Sequence, residues 1–292
     1  MEFQESELII NPDGSIFHLH LLPDDIADDI ILVGDPGRVE TVASFFDSIE
    51  LKKDNREFYT ITGTYNKKRI TVLSTGIGTD NIDIVVNELD AIANIDLKTR
   101  KLKKEHRTLN LIRIGTSGAL QKDIPVDSFL MSKRSIGFDG LLNFYEGRND
   151  ISDADFEFAF KYHVDWKRNL ASPYIVDASD KLISKLKDNK IKQGITISAP
   201  GFYGPQGRSL RLPNADPEIN DKIESFELNG QKITNYEMES SAIYGLSRLL
   251  GHHAITLCVI IANRTTGEYS KDYKPVMKDL IKTVLDRVTC DW

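Results

Sequence analysis

The sequence predicts an α/β protein. Short runs rich in β-branched residues recur along the chain, and each run ends at glycine or at polar residues, as β-strands do. Between the runs lie stretches with apolar residues at helical spacing. Two of the runs are apolar almost throughout, which is typical of strands covered on both faces in a parallel or mixed sheet. Strands that alternate with helices in this way indicate an α/β fold.

Five strands and three helices can be placed along the chain. The first helix is predicted at 38–49, directly after a glycine-containing turn. The second spans 80–94 with Asp80 as its N-cap, and the third spans 275–288 and begins with Pro275. The predicted strands, of which the third and fifth are the nearly continuous apolar runs, are residues 30–33, 70–73, 109–114, 195–198 and 255–262.

The composition suits a single domain with a large core. The chain has 292 residues, of which 40% are hydrophobic, and no linker or repeat divides it, so we predict one domain over residues 1–292. The net charge of -7 disfavours a protein that binds the phosphate backbone of nucleic acids. The basic segment 98–107 lacks aromatic residues and joins a predicted helix to a predicted strand, so we interpret it as a solvated connection.

No feature of the sequence predicts export or a membrane anchor. The N-terminus is acidic, and no apolar run approaches the roughly 20 residues that a membrane span needs. Cys258 and Cys290 form neither a disulfide framework nor a metal-binding spacing. We therefore expect reduced thiols in a cytoplasmic protein.

Two arginines occupy unusual positions. Arg38 closes the turn G-D-P-G-R at 34–38, where exposed N–H groups at a helix start favour an anion and the guanidinium can grip phosphate oxygens. An ordinary turn with a solvated arginine is the alternative. Arg113 lies within an apolar strand, so its charge needs either a bound anion or a buried carboxylate. Thr116 follows at the C-terminal end of that strand, where ligands collect in open α/β sheets.

Two carboxylates bracket Met238 in the sequence N-Y-E-M-E-S. Glu237 and Glu239 lie where an apolar strand is predicted to become a helix, and carboxylates in this position suit the hydroxyl groups of a sugar. An anion site and a polyol site are thus predicted in one chain. The combination points to a reaction of a phosphorylated or phosphate-using sugar.

The sequence lacks the motifs of several other kinds of enzyme chemistry. The segment T-G-I-G-T-D-N at 75–81 has two glycines of a dinucleotide fingerprint, but Asn81 stands where the third should be, and no P-loop is present. Ser117 is not in a nucleophile elbow, and the six histidines form no metal-spaced cluster. His252 and His253 follow a predicted helix end and are interpreted as capping residues. We therefore expect no nucleotide cofactor and no metal.

Eight short segments together resemble the nucleoside phosphorylase-I family, and within it the uridine phosphorylases. The resemblance implies a three-layer α/β/α fold around a mixed, partly barrel-like sheet. It also implies a pentosyltransferase for nucleoside salvage, with nucleoside and phosphate as substrates and no organic cofactor. The segments, which cover most of the chain in the family's order, are F-H-L (17–19), G-D-P-G-R (34–38), R-E-F (56–58), S-T-G-I-G (74–78), R-I-G-T-S-G-A (113–119), F-Y-G-P-Q-G-R (202–208), N-Y-E-M-E-S (235–240) and V-I-I-A-N-R-T (259–265).

The same resemblance implies the site residues. Two of them would come from a neighbouring subunit, which implies a homo-oligomer built from dimers with shared active sites. The phosphate ligands would be Gly34, Arg38, Arg113, Thr116 and the neighbour's Arg56. The ribose ligands would be Glu237, Met238, Glu239 and the neighbour's His18. The base would contact Phe202, Gln206, Arg208 and Ile261. The catalytic residues would be Arg113, Glu239, Gln206 and Arg208.

Base specificity is predicted from two positions. Gln206 offers an amide suited to the imide edge of uracil, and Arg208 offers a charged donor for a carbonyl of the base. The purine-specific branch of the family usually carries an aspartate where Asn263 and Arg264 stand here. This difference favours a pyrimidine such as uridine, whose departing anion is held by hydrogen-bond donors. The alternatives are a purine nucleoside phosphorylase, a nucleosidase that uses water, and a non-catalytic nucleoside-binding protein.

The chain departs from the family pattern in ways that affect the predictions. Asn81 stands where bacterial relatives often have a serine that helps Glu57 hold a monovalent cation, so no such ion is predicted. Gly204 and Pro205 reverse the usual order before the base-binding glutamine. A lid that excludes water is predicted in the polar stretch 265–272. The choice between uridine and thymidine and the choice between dimer and hexamer stay open.

Overall fold

The computed structural model describes residues 2–290 and contains fourteen β-strands and eight α-helices within them. The strands are β1 (Asp29–Val33), β2 (Ser48–Asn55), β3 (Phe58–Tyr65), β4 (Lys68–Ser74), β5 (Ile95–Asp96), β6 (Lys101–Leu102), β7 (Asn110–Ala119), β8 (Phe129–Gly137), β9 (Tyr174–Asp177), β10 (Ile191–Ser198), β11 (Glu227–Leu228), β12 (Gln231–Glu237), β13 (His253–Asn263) and β14 (Glu268–Tyr269). The helices are α1 (Pro36–Ala43), α2 (Thr79–Asn94), α3 (Arg148–Ile151), α4 (Ala154–His163), α5 (Asp180–Leu186), α6 (Ile219–Ser225), α7 (Ser240–Leu249) and α8 (Lys274–Thr289).

The main sheet has twelve strands and is mixed. Its central part is a ring, because β12 pairs in parallel with β10 and also in antiparallel fashion with β7, at Asn235 and Ala119. The ring runs β12, β10, β8, β13, β7 and back to β12. From β7 the sheet continues outward through β1, β4, β3 and β2. The predicted mixed and partly barrel-like sheet is confirmed.

Helices cover both faces of this sheet. Helix α7 contacts α2 and α3 and packs on β8 and β13. Helix α8 contacts α1 and α5, and it also packs on β13. A continuous hydrophobic core joins the sheet to these helices, and β13 is buried along most of its length. The predicted three-layer α/β/α arrangement is therefore confirmed.

All five predicted strands are present, but two predictions about helices are wrong. The first helix ends at Ala43 rather than at residue 49, because the chain turns there and Asp47 already pairs with Thr64 of β3. The turn brings the Ser48 carbonyl so close to Gly63 that a Cβ there would lie 2.2 Å from it. The N-cap of α2 is Gly78 and not Asp80.

The basic segment 98–107 makes structural contacts as well as facing solvent. Lys103 donates hydrogen bonds to the carbonyl groups of Ile92 and Ala93 at the C-terminal end of α2, where a positive charge is favourable. Arg107 donates to Asp28 at 2.7 Å. The segment thus ties α2 to the start of the sheet. Among the helices in residues 2–290, none is long and apolar enough to cross a membrane.

Candidate active site

The candidate site forms where β7 and β12 meet the N-terminus of α7. Glu237 is the last residue of β12, Glu239 is the N-cap of α7, and Met238 lies between them and is partly exposed. The structure thus has the predicted strand-to-helix junction with a carboxylate on each side. Arg113 lies in β7, in register with Leu32 of β1. The pairings of β7 with β1 and with β12 therefore bring the predicted anion and polyol residues to one place.

The guanidinium of Arg113 lies between the two carboxylates. Its Nη2 donates to Oε2 of Glu239, and its Nη1 lies 3.3 Å from Oε2 of Glu237. All three residues are buried, with exposed fractions of 5%, 3% and 4% for Arg113, Glu239 and Glu237. The Nε–H group of Arg113 is buried and has no partner within the described residues. The structure thus realises the buried-carboxylate alternative and leaves one guanidinium donor unused.

The two carboxylates differ in how many of their acceptor positions are occupied. Glu237 accepts hydrogen bonds from the Ser198 hydroxyl at 2.5 Å and from the backbone N–H groups of Glu239 and Ser240. It therefore caps the first turn of α7, which offsets the partial positive charge of that helix end. Glu239 accepts one backbone hydrogen bond, from Gly78 at 2.8 Å, besides its contact with Arg113. Glu239 consequently keeps more capacity to bind a sugar hydroxyl than Glu237 does.

Burial controls the titration of this cluster. Burial opposes the charge of Arg113, but the adjacent carboxylates of Glu239 and Glu237 outweigh it and raise the pKa of Arg113. Burial raises the pKa of Glu239, and repulsion from Glu237 raises it further, against the lowering effect of Arg113. Arg113 is therefore a permanent cation, whereas Glu239 takes up a proton more readily than an ordinary glutamate.

Two neighbours in the strands shape the space around Arg113. A Cβ at Gly115 would lie 2.1 Å from Nη1 of Arg113, so only glycine lets the guanidinium fold back over β7. The thiol of Cys258 in β13 lies 3.8 Å from the same nitrogen. Burial raises the pKa of this thiol to about 12, so the thiol is neutral. Glycine is thus required at the third position of the R-I-G-T-S-G motif because a larger residue would clash with Arg113. The sequence alone did not reveal this steric requirement.

Arg38 approaches the cluster from the first turn of α1, the helix that follows β1. Its Nη1 donates to the carbonyl oxygen of Ile114, which adjoins Arg113, at 3.3 Å. Burial, followed by the like charge of Arg113, lowers the pKa of Arg38. The predicted exposure of N–H donors at this turn is wrong for Gly37, because the side chain of Asp35 accepts its hydrogen bond as the N-cap of α1. The arginine side chain, and not the helix start, is therefore the feature that suits an anion here.

The other predicted phosphate residues of this chain lie nearby. Gly34 directly follows β1 and lies beside the loop after β4, since a Cβ there would lie 3.3 Å from the carbonyl oxygen of Gly76. Thr116 lies in the C-terminal half of β7 and is partly exposed. Glu57 and Asn81, which were considered for a monovalent cation, both lie beside Gly76. Their placement leaves the expectation about that ion untested.

Three of the four predicted base residues, Phe202, Gln206 and Arg208, form a compact loop. Gln206 ends a short 3-10 turn and is 4% exposed, and Nη1 of Arg208 donates to its side-chain oxygen at 2.6 Å. The guanidinium of Arg208 also lies over the Phe202 ring, 3.9 Å from its centroid. One face of Phe202 is therefore already covered by Arg208. Ile261, the fourth predicted base residue, is partly buried in β13.

Arg264 is a candidate site residue that the sequence analysis did not assign. Its Nη1 donates to the carbonyl oxygen of Gln206 at 3.1 Å. Partial burial, together with the charge of Arg264, lowers the pKa of Arg208 to about 10. Two guanidinium groups thus converge on the base loop. The sequence shows an arginine directly after Asn263. Where its side chain points depends on the bend at the end of β13, which the sequence does not show.

The side chain of Asn263 forms its hydrogen bonds with nearby backbone groups. Its Nδ2 donates to the carbonyl oxygens of Gln121 and Ile124, at 3.0 and 2.9 Å. Its Oδ1 accepts from the N–H groups of Thr265 and Thr266. The side chain therefore holds the turn after β13 and has no donor left for a ligand.

The segment 265–272, predicted as a lid, is largely a hairpin. Strand β14 pairs antiparallel with the end of β13, at Tyr269 with Ala262 and at Glu268 with Asn263. Ser270 also donates its backbone N–H to Ile261. These contacts anchor the segment beside the base loop, so any closure would have to involve the hairpin as a unit.

The two residues predicted to serve a neighbouring subunit lie together, on a different part of the chain. Arg56 is exposed and lies 5.8 Å from the ring centroid of Phe17, and Phe17 packs edge-on against His18. Nδ1 of His18 lies 2.6 Å from Glu88 of α2. The structure therefore groups His18 with Arg56, whereas Arg113, Glu237 and Glu239 form a separate cluster.

A further group of ionisable residues lies near the C-terminal end of α2. Atoms of Asp90, His106 and His252 lie within 4.8 Å of one another, a spacing compatible with a metal ion. However, Nδ1 of His252 accepts the backbone N–H of Leu109, so its Nε2 carries the hydrogen that faces Asp90 at 3.1 Å. A metal at Nε2 would require that hydrogen to leave. The backbone N–H of His252 donates to the carbonyl oxygen of Ser247 in the last turn of α7, as a capping residue does, but its side chain is buried against β7 and takes no part in the cap.

The fold is a mixed α/β arrangement, and its candidate site groups buried arginine and glutamate side chains at the ends of β7 and β12. A model of the phosphorylase superfamily matches residues 28–288. The chain therefore belongs to the phosphorylase superfamily.

Individual relatives refine this assignment. The uridine phosphorylase of Thermococcus kodakarensis is 28% identical over 276 residues, which cover 92% of this chain and 85% of that protein. A DeoD-type purine nucleoside phosphorylase of Listeria monocytogenes is 27% identical over 272 residues, covering 92% of this chain and 97% of that protein. The crystal structure of a Trypanosoma brucei nucleoside phosphorylase with uridine phosphorylase activity superposes with a TM-score of 0.88 at 29% identity, covering 97% of this chain and 100% of that chain. Together these matches identify the chain as a nucleoside phosphorylase, an enzyme of the pentosyltransferase type.

Proposed function

We propose that this enzyme cleaves a pyrimidine nucleoside with phosphate, converting uridine and phosphate to uracil and ribose 1-phosphate. The observation that carries the pyrimidine assignment is the surroundings of the base loop. Two guanidinium groups, those of Arg208 and Arg264, converge on Gln206. The amide of Asn263, which stands at the position of the purine-branch acid, is used up in backbone hydrogen bonds.

The chemistry of the leaving base explains why this arrangement favours uracil. When the glycosidic bond breaks, its electron pair passes to the base, and a uracil anion spreads that charge over its ring nitrogen and carbonyl oxygens. Cationic donors that are already in place stabilise such an anion without transferring a proton. A purine that leaves neutral needs an acid near its ring nitrogen, and Asn263 cannot supply one. Arg208, Arg264 and Gln206 would thus accept the growing charge.

The remaining residues would place the nucleophile and the sugar. Phosphate would bind at Gly34, Arg38, Arg113 and Thr116, with Arg56 from a neighbouring copy, and an oxygen of phosphate would form the new bond to the anomeric carbon. Glu239 would accept hydrogen bonds from the ribose hydroxyls, while Glu237 would hold the helix end and Met238 would pack against the sugar. Positive charge develops on the ribose as the old bond stretches, as in glycoside hydrolysis. Positioning and electrostatics would supply the rate acceleration, without a covalent enzyme intermediate.

One experiment tests both the base and the nucleophile. Uridine, thymidine and inosine are each incubated with the enzyme, with and without phosphate, and the free base is quantified by liquid chromatography. We expect uracil release from uridine only when phosphate is present, with ribose 1-phosphate as the second product. The comparison of uridine with thymidine measures the combined effect of the 2'-hydroxyl and the C5 methyl group. The Glu239→Gln variant is the control for contaminating activity.

Two results would contradict the proposal. Purines are a real alternative, because DeoD-type purine nucleoside phosphorylases are among the relatives at similar identity. Release of hypoxanthine from inosine without release of uracil from uridine would replace the pyrimidine assignment. Base release at equal rates without phosphate would identify a nucleosidase instead.

A further inference from the structure

The carboxylate of Glu88 gathers an unusual number of donors from one short segment. Glu88 lies on α2 and accepts the backbone N–H of His18 at 3.0 Å and that of Leu19 at 2.8 Å. The Nδ1 of His18 lies 2.6 Å from the same carboxylate. Three donors from two consecutive residues therefore converge on one anion, 70 positions away in the sequence. Such convergence fixes both the backbone and the ring of His18.

This arrangement also determines which nitrogen of the His18 imidazole carries the hydrogen. Because a carboxylate faces Nδ1, that nitrogen carries a hydrogen. The second ring nitrogen, Nε2, makes no hydrogen bond within residues 2–290, and the side chain is 26% exposed. Asn55 adds a further restraint by donating to the carbonyl oxygen of His18 at 2.8 Å. The free ring nitrogen is thus held in one direction at the protein surface.

His18 and Glu239 contact different parts of α2. The N–H of Gly78, at the start of α2, contacts Glu239 at 2.8 Å, whereas Glu88 lies ten residues further along the chain. Ten residues of α-helix span about 15 Å. Glu88 thus holds His18 beside the middle of α2, whereas Glu239 meets the start of that helix. This placement is the one expected if His18 serves the site of a neighbouring copy.

We propose that Glu88 is a positioning residue that holds His18 so that its Nε2 binds the 5'-hydroxyl of a nucleoside in the site of a neighbouring copy. This inference rests on the proposed function, since it presumes a ribonucleoside at Glu239. Glu88 itself touches no substrate. Its carboxylate acts by fixing the tautomer and the direction of His18, which a neutral amide does not do, because an amide places a donor against the donors of His18 and Leu19.

The test compares substrates that differ only in the 5'-hydroxyl. kcat/KM is measured for uridine and 5'-deoxyuridine in the wild type, Glu88→Gln, His18→Ala and the double variant, and inosine and 5'-deoxyinosine replace them if the enzyme prefers purines. The wild-type preference for the 5'-hydroxyl should fall about tenfold in Glu88→Gln, the factor expected for one lost hydrogen bond. The rate with the 5'-deoxy substrate should change by less than about twofold. Glu105→Gln, at an exposed glutamate, is the matched control.

The double variant separates positioning from a general structural role. If Glu88 acts through His18, the double variant should show the same preference as His18→Ala alone, because the effects are not additive. Equal losses with both substrates, or additive effects, would overturn the inference. Should Glu88→Gln fail to fold in a thermal unfolding assay, Asn55→Ala is used, and a selective loss of the 5'-hydroxyl preference is again expected. Absence of phosphorolysis of every nucleoside in the wild type would instead defeat the proposed function.

Discussion

At the scale of single residues, the site depends on one cation between two buried carboxylates. Arg113 contacts both Glu239 and Glu237, and a buried charge in such a group is costly unless its partners remain. The planar guanidinium can serve two carboxylates and still keep a donor for phosphate, which an ammonium group does not do equally well. The positive charge and the planar shape of the Arg113 side chain can therefore be tested separately by substitution.

Replacement of Arg113 should show these two consequences. Arg113→Lys keeps the charge and should lower kcat/KM about 100-fold, the loss typical of one removed transition-state donor, with a modest change in stability. Arg113→Ala leaves the carboxylates unpaired and should in addition lower the free energy of unfolding by about 3–5 kcal/mol. Steady-state kinetics and denaturant unfolding measure the two effects. Arg168→Lys, at an exposed position, is the control, and near-normal rates in Arg113→Lys would mean that the charge alone suffices.

The titration of Glu239 should appear in the pH dependence of the reaction. In the proposed function, Glu239 must be ionised to accept hydrogen bonds from the ribose hydroxyls, and burial raises the pKa of Glu239 above its ordinary 4.5. Because the pKa is raised, the carboxylate is lost earlier as the pH falls, so kcat/KM should decline on the acidic side with a midpoint above 4.5. A pH profile with Glu239→Gln as the reference checks this. The variant should be slow and lack the acidic limb, whereas a limb that persists in the variant would assign it to another group.

At the scale of secondary-structure elements, the ends of β7 and β12 carry the site. Strand β7 pairs with β1, β13 and β12, so its side chains cannot shift without disturbing three neighbours. Within it, Gly115 leaves room for the folded-back guanidinium of Arg113. On the other side of the site, Glu237 caps the N-terminus of α7 and holds that end of the helix equally rigid. The elements hold the charges at fixed distances before any substrate binds.

A methyl group at Gly115 should therefore impair the site from within the strand. Gly115→Ala places a Cβ 2.1 Å from Nη1 of Arg113 and should displace the guanidinium, lowering kcat/KM by roughly 10-fold to 100-fold. Gly118→Ala in the same strand is the matched control, since its Cβ would meet only ordinary contacts of 3.9 Å. Kinetics of both variants with uridine and phosphate make the comparison. Equal effects of the two changes would point to strand propensity and not to Arg113.

At the scale of the whole molecule, the predicted site residues fall into two groups. One contains Arg113 and Glu239, and the other contains His18 and Arg56, which pack together around Phe17. Glu88, which holds His18, lies about 15 Å along α2 from Gly78, which contacts Glu239. A second copy of the chain would bring the groups together, as expected for an isologous dimer with shared sites.

Mixed oligomers test this sharing. Arg56→Ala and Glu239→Gln should each be nearly inactive alone, because every site then carries one defect. Randomly mixed dimers should regain about a quarter of the wild-type activity, since half of them contain one intact site. Subunits are mixed after dissociation and reassembly, and activity is measured with saturating substrates. Arg113→Lys mixed with Glu239→Gln should regain nothing, and the same failure with Arg56→Ala would show that Arg56 serves its own chain.

The sequence by itself determined the local features of this protein. Apolar runs and turn residues predicted all five of the assigned strands, because strand formation follows side-chain periodicity and glycine punctuation. The charged position of Arg113 in an apolar strand predicted either a bound anion or a buried carboxylate as its partner. Glu237 and Glu239 were predicted to lie at a strand-to-helix junction. The distributed motifs predicted the family, and its model matches residues 28–288.

Only the tertiary structure decided which of these features meet. The contact of Arg113 with Glu239 joins residues 126 positions apart, and it requires the ring of strands that closes between β12 and β7. Long-range packing also decides three other contacts. It brings Arg264 to the base loop, sets Asn263 against backbone carbonyl groups, and places Glu88 beside His18. Local sequence preferences contain no information on such distances. Contacts between distant segments arise from the shared burial of many side chains, which a single chain reveals only when folded.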